Sequence, residues 1–346
     1  MRSPAARRYA KAMRVTVLGG GSWGTALATL LATGDQHRVG LWVRSAELAG
    51  EMGTARENRR YLPGVALPPA LEVTSAIDQA LEGAGLVVAV PPSHAMREVM
   101  ELARAHVPPG AVVVSASKGV ERTTFKNMST VLADVLPQHD VRVAVLSGPG
   151  FAAEVAAGLP TAVTAAAADE AVARQVQEAF TRPWFRVYTS TDVVGVELGG
   201  AVKNVIALAA GVSDGLGLGH SSRAALITRG LAEITRLAVR LGADARTLSG
   251  LSGLGDLVVT CTGDLSRNRS VGLRLGRGER LDAILGGMSM VAEGVRNTRS
   301  VYELAQSVGV DMPITEQVYL LLYEGKSPRQ VVGDLMTRQP KAEVDG

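Results

Sequence analysis

At 346 residues and 47% hydrophobic, the chain is long enough for two domains with a sizeable core, and its single cysteine, Cys261, excludes an internal disulfide. A formal charge of +3 and a pI near 9.1 would admit a nucleic-acid partner, but Arg2, Arg7, Arg8 and Lys11 all fall in the first 12 residues, which hold no acid. Without those four, 32 basic residues face 33 acidic ones, so the body of the chain is nearly neutral and nucleic acid is not the expected partner.

The basic segment has no apolar stretch behind it and does not read as a secretory signal. We expect residues 1–12 to form a disordered tail, or translation to start at Met13. No uninterrupted apolar run approaches the length of a membrane span, so no stable membrane insertion is expected.

The first ordered element is an apolar strand over 14–18, followed at once by Gly19, Gly21 and Gly24 in G-x-G-x-x-G spacing. A helix should start near Ser22, with Ala26, Leu27, Leu30 and Leu31 on its buried side and Gly34 just past its end. A second strand follows over 39–43. In such a βαβ unit the first glycine permits the tight turn. The second lets backbone N–H groups approach a pyrophosphate, and the third lets helix and strand lie close. At the end of the second strand an acid would favour NAD and an arginine NADP. Here Arg44 and Ser45 occupy that place, so NADPH is the expected cofactor, with NADH and a merely solvated Arg44 as the alternatives.

Between 71 and 189 the βα alternation continues. Strands are expected over 86–90, 111–115, 141–146 and 160–164, and helices over 94–105, 127–136 and 170–180. Polar landmarks follow three of these strands: Pro91, Pro92 and Ser93; Ser117, Lys118 and Gly119; Ser147, Gly148 and Pro149. In an open parallel sheet ligands bind at the carboxyl ends of the strands, so all three should join the 19–24 turn around one crevice.

After 189 the segments read as helices: one capped by Asp192 and running to about 210, then 221–241, 267–275, 292–308, 313–324 and 328–338, with Ser327 and Pro328 marking a helix start. The expected class is α/β, a Rossmann-type doubly wound sheet over 13–191 followed by an all-helical domain over 192–340. The 192–210 helix is apolar on every face and carries Lys203, whose side chain should lean over Gly200 and Gly199. These glycines would leave space where a ligand could approach the ammonium, and a partly desolvated lysine suits proton exchange near neutral pH. The structural alternatives are a lysine snorkelling to the surface or paired with Glu197.

Lys118, at a strand end, is a second candidate cation, or else a surface lysine in a turn. In 250–269, Asp256 lies in a glycine-rich loop, and Ser266 can cap a helix whose first turn holds Arg267, Asn268 and Arg269. Free N–H groups, helix dipole and guanidinium would converge there on a phosphate. Arginine opposes the dipole at that end unless an anion is bound. The five histidines have no metal-ligand spacing with one another or with Cys261, which reads as a small buried residue, so no metal is expected.

The stretches GGGSWGTALA, HRVGLWVR, SASKGVE, LSGPGFAAEV, ELGGAVKNVIALAAG, GLSGLGDLVVTCTGDLSRNR and MVAEGVRN together resemble the bacterial NAD(P)-dependent glycerol-3-phosphate dehydrogenases, in that family's order and from Met13 onwards. The resemblance implies a cytoplasmic enzyme, often dimeric, that reduces dihydroxyacetone phosphate to sn-glycerol 3-phosphate for phospholipid synthesis. It also implies a Rossmann domain followed by a helical domain.

By the same resemblance Ser22, Trp23, Arg44, Ala152, Val291 and Glu293 contact the cofactor beside Gly19, Gly21 and Gly24. Lys118 is shared by cofactor and substrate, Lys203 is the catalytic lysine, and Gly148, Asp256, Ser266, Arg267 and Asn268 contact substrate, with Arg267 also reaching the cofactor. One position departs: the family's S-G-P-[ST]-F is SGPGF here, so Gly150 replaces a hydroxyl that normally contacts substrate. The implied reaction passes a hydride to C2 of the ketone while Lys203 donates the proton, Lys118 stabilises the developing charge and Asp256 orients Lys203 or the substrate hydroxyls. A reductase of another phosphorylated ketone or β-hydroxyacid, and a nucleotide-binding regulator without catalysis, are the alternatives.

Overall fold

Strand β1 (Met13–Leu18) lies inside an eight-stranded sheet, between β2 (His37–Trp42) and β6 (Leu86–Ala89), and is parallel to both. The structure, a computed structural model, describes residues 13–34, 36–137, 139–288, 292–340 and 342–343, so the expected tail and Val291 lie outside the described residues. The remaining strands are β3 (Glu57–Asn58), β4 (Leu62–Ala66), β5 (Glu72–Thr74), β7 (Val112–Ser115), β8 (Arg142–Ser147), β9 (Thr161–Ala166) and β10 (Phe185–Ser190). The sheet order is β10-β9-β8-β7-β6-β1-β2-β5, and β3 and β4 form a separate antiparallel pair. Near-continuous burial along β1, β6 and β7 fits strands covered on both faces, with Val17, Leu27 and Leu41 in one layer and Leu18, Met96 and Leu132 in the other.

The sheet is not wholly parallel. β9 runs antiparallel to β8, with Val145 opposite Ala166 and Ser147 opposite Thr164, while β9 and β10 are parallel to each other. The link after β8 contains only the five-residue helix Ala152–Ala156, about 7.5 Å long. The chain doubles back after this link, and β9 pairs antiparallel along the edge of β8.

This reversal directs the second half. The chain leaves β10 at the edge remote from the 19–24 turn, and the helix Val193–Gly215 climbs back across the sheet. Val196 packs on Val145 and Ala166, and one turn later Gly200 passes Ser147 at the carboxyl end of β8. Asp192 caps the helix by accepting from Gly195 N–H, as expected, but the helix runs on to Gly215. It is long and apolar enough to cross a membrane by length and composition, yet 83% of its apolar window is buried inside the protein. Around it pack Gly219–Arg240, Asp256–Thr262, Arg267–Gly276, Glu293–Ser307 and Pro313–Tyr323. Against the Arg267 helix the two backbones touch: a Cβ on Gly211 would collide with Arg269 O, and one on Gly272 with Leu208 O.

Candidate active site

At the carboxyl end of β1, Gly19 has φ +128°, and a Cβ there would lie 2.9 Å from Val90 O, where β6 ends. A Cβ on Gly24 would collide with Gly19 O, so the helix Ser22–Ala32 can lie this close to its strand only with glycine there. At Gly21 the same construction meets nothing within 4 Å, so the turn presents an uncovered backbone at a helix N-terminus. Beside it the buried Trp23 Nε1 has no hydrogen-bond partner among the described residues. An open backbone cradle and an unpaired donor fit the pyrophosphate and polar groups of a dinucleotide. Ser22 Oγ donates to Tyr61 O at 2.6 Å, and Ala152 begins the short helix after β8. Ser45 caps the next helix, Ala46–Ala55, by accepting from Leu48 N–H, and Arg44 is exposed and donates to Glu98.

The three polar landmarks meet as expected. Ser117 Oγ donates to Pro91 O, and Lys118 Nζ donates to Gly148 O at 3.1 Å. Asn297, from the helical half, donates to Lys118 O at 3.1 Å, and its Oδ1 accepts from Ser93.

Lys203 is buried, at 6% exposure, and its ammonium donates to Asp256 Oδ1 and, at 2.7 Å, to Thr260 Oγ1. Asp256 is fully buried, and its second oxygen accepts from Lys118 at 2.6 Å. Two ammonium groups thus share one carboxylate, leaving an excess positive charge in a largely buried space. Burial is the main force lowering the Lys203 pKa to about 7. Lys118 pushes the same way and Asp256 opposes both.

Two expectations need correction here, and one alternative, the pairing of Lys203 with Glu197, is not adopted by the chain. Glu197 accepts from Ser129 N–H at 2.8 Å and from Ser129 Oγ at the start of the helix Met128–Val135. Asp256 is not in a loop but opens the helix Asp256–Thr262, directly after a π-helical turn at Leu251–Gly255. Gly199 and Gly200 do not leave a gap for ligand. A Cβ on Gly199 would collide with Ser252 O, and one on Gly200 would lie 2.8 Å from Ser147 Oγ and 3.3 Å from Lys118 Cγ. The glycines let the π-helical turn and the Lys118 stem press against the helix, which is what brings Asp256 and Lys118 to Lys203.

Ser266 caps the Arg267–Gly276 helix, accepting from Arg269 N–H at 3.2 Å. Arg269 is neutralised by Asp214 and Asp264, whereas Arg267 is exposed and has no carboxylate within ion-pair distance among the described residues. The N–H groups of Arg267 and Asn268 have no acceptor among the described residues. Asn268 is buried, with its amide joining Asn204 Oδ1 to Gly294 N–H. Its backbone N–H lies at the open helix tip. Glu293 begins the next helix, and burial raises its pKa against the pull of Arg267, Lys118 and Lys203. These three cations therefore share one neighbourhood.

Residues 14–173 match the family described as NAD-dependent glycerol-3-phosphate dehydrogenase N-terminus, and residues 192–333 match the corresponding C-terminus. The chain belongs to the NAD-dependent glycerol-3-phosphate dehydrogenase family. It is 56% identical over 333 residues to the glycerol-3-phosphate dehydrogenase [NAD(P)+] of Geobacter sp. (strain M21), covering 96% of this chain and 99% of that one. Its identity is 57% over 334 residues to the protein of the same name from Anaeromyxobacter sp. (strain K), covering 96% and 100%. The crystal structure of glycerol-3-phosphate dehydrogenase from Coxiella burnetii is 41% identical and superimposes with a TM-score of 0.91, covering 94% and 99%.

Within this glycerol-3-phosphate dehydrogenase frame, the departure at Gly150 acquires a direction. A Cβ there would meet Trp23 Cη2 at 3.4 Å, Thr161 Cγ2 at 3.5 Å and Val155 Cγ2 at 3.6 Å, all apolar carbons. Sequence reasoning also missed Thr260 and Asn204. Thr260 lies one helical turn beyond Asp256, and Asn204 adjoins Lys203, but a polar residue in an apolar helix shows its partner only once the helices are packed. Cys261 is buried, with its thiol pushed up to about 12 by burial, as befits a packing residue. Among the described residues no group of three or more His, Cys, Asp or Glu is placed to hold a metal ion.

Proposed function

We infer that this chain catalyses the reversible NAD(P)H-dependent reduction of dihydroxyacetone phosphate to sn-glycerol 3-phosphate, the backbone of glycerophospholipids. The observation that carries the reading is the pair Lys118 and Lys203 on one buried carboxylate, Asp256, beside a helix tip whose Arg267 has no carboxylate partner among the described residues. The 19–24 turn holds the pyrophosphate, with Ser22, Trp23, Arg44, Ala152 and Glu293 around the rest of the nucleotide. A bound reduced nicotinamide supplies the hydride for C2. The substrate phosphate rests on the Arg267 and Asn268 N–H groups, the Ser266 hydroxyl and the Arg267 guanidinium. Lys203 then gives its proton to the C2 oxygen and is left as the neutral amine, which water reprotonates. Lys118 stabilises the same oxygen, and Asp256 keeps both ammonium groups pointed at it.

The same reading assigns 13–191 to nucleotide binding and 192–340 to substrate and catalysis, supported by the change from strand to helix between Ser190 and Val193. It also places the enzyme in the cytoplasm as a homodimer. A lone buried cysteine suits a reducing compartment, and sedimentation gives the oligomeric state.

The test is steady-state oxidation of NADPH and NADH in the presence of dihydroxyacetone phosphate, with the product identified as sn-glycerol 3-phosphate. Nucleotide binding without turnover on this ketone would overturn the reading and favour a silent regulator. Faster turnover of an unphosphorylated ketoacid would favour a different reductase.

A further inference from the structure

The family pattern calls for either an acid or an arginine at the end of the second strand, and the chain supplies Arg44 alone in sequence. In space it supplies both. β2 and β6 flank β1 on opposite sides, and each abuts the glycine turn: a Cβ on Gly20 would press on Val43, and one on Gly19 would press on Val90. Arg44 follows the first strand, and Glu98 lies in the first turn of the helix Met96–Ala103 that follows the second. Arg44 reaches over the carboxyl end of β1 to Glu98 Oε1 at 2.9 Å. Both side chains are largely exposed, at 56% and 70%, so the pair is weak and a ligand can part it at little cost.

We propose that Glu98 sets the balance between NADPH and NADH, as a specificity-determining residue acting opposite Arg44. The proposal rests on the dehydrogenase reading above. A 2′-phosphate has to draw Arg44 away from Glu98 and then sit near that carboxylate, which opposes it. A 2′-hydroxyl brings no charge and can donate a hydrogen bond to Glu98, leaving the ion pair intact. Arg44 thus favours the phosphorylated nucleotide and Glu98 the other one, so their pairing yields dual use. His94, a titratable group within electrostatic reach of Glu98, also feels Arg296, so the cations Arg44 and Arg296 remain nearby once Glu98 is neutralised.

The experiment measures dissociation constants of NADPH and NADH from nicotinamide fluorescence, for the full chain and for Glu98→Gln, at low and high salt. In Glu98→Gln the preference for NADPH should rise about three- to fivefold, and the gain should shrink at high salt. Glu98→Asp should stay close to the parent ratio. Equal shifts for both nucleotides, or an unchanged ratio in Glu98→Gln, would overturn the proposal while leaving the dehydrogenase reading standing if dihydroxyacetone phosphate is still turned over. Failure of the parent protein to bind either nucleotide would overturn both.

Discussion

The Lys203 ammonium rests on one oxygen of Asp256, a carboxylate with no solvent exposure, while the other oxygen is held by a second cation. Burial brings the Lys203 pKa down to about 7, so its charge is lost within the working range of the reaction. Ketone reduction needs the protonated acid, so kcat/KM for dihydroxyacetone phosphate should fall as pH rises through about 7. Oxidation of sn-glycerol 3-phosphate needs the neutral amine and should rise over the same interval. Lys203→Ala should lower kcat by about 10²- to 10⁴-fold with the NADPH dissociation constant unchanged. Intact turnover in that variant would remove Lys203 from the mechanism.

Arg267 differs from its neighbour Arg269 in having no carboxylate partner among the described residues, although both open the same helix. Arg267→Ala should therefore raise KM for dihydroxyacetone phosphate about 10- to 100-fold, the range of lost charge-assisted hydrogen bonds. Reduction of unphosphorylated dihydroxyacetone should be left at its low starting rate. Parallel losses on both ketones would mean that the guanidinium does not hold the phosphate.

Gly150→Ser supplies the hydroxyl that the sequence resemblance implies at this position, but its Cβ would point at Trp23, Thr161 and Val155. Contacts of 3.4–3.6 Å are ordinary, so the variant should fold with its melting temperature nearly unchanged. Its KM for dihydroxyacetone phosphate should move by less than about fivefold, the equivalent of one neutral hydrogen bond. A larger gain would show that the hydroxyl reaches substrate despite these surroundings.

Glu197 and Glu233 are buried carboxylates outside the reaction, each capping another helix: Glu197 accepts from Ser129, and Glu233 from Ile314 and Thr315. Burial raises both from 4.5 to about 7. The folded chain thus binds more protons than the unfolded one in that interval. The stabilisation is complete below the unfolded value and is lost as pH climbs through about 7. The melting temperature measured from pH 4.5 to 7.5 should lean more steeply downward with pH in the parent than in Glu197→Gln and Glu233→Gln. Identical slopes in parent and variants would mean that these carboxylates ionise normally.

Much of the front half was legible because its signals are local. The G-x-G-x-x-G spacing, the apolar strand before it and the periodic leucines after it each fix a few adjacent residues, and the strands at 86–89 and 112–115 announce themselves as valine runs. The reversal of β9 was not legible. The strand itself looks like any other in sequence, and its direction is set by a pairing with β8 that exists only once the sheet has formed. The chemistry of Asp256 was half legible. Its glycine-rich setting marked it out, but its grip on two lysines 53 and 138 positions away exists only after packing. The loss of the expected gap at Gly199 and Gly200 has the same origin: a missing side chain shows where something can approach, not what does.

The Lys203 and Arg267 helices meet main chain to main chain at Gly211 and Gly272. The interval between Lys203 and the Arg267 helix tip is therefore set by peptide groups in contact, with no side chain between them to trim. A shorter reach is closed to point substitution, and a side chain at Gly211 or Gly272 could only push the two helices apart.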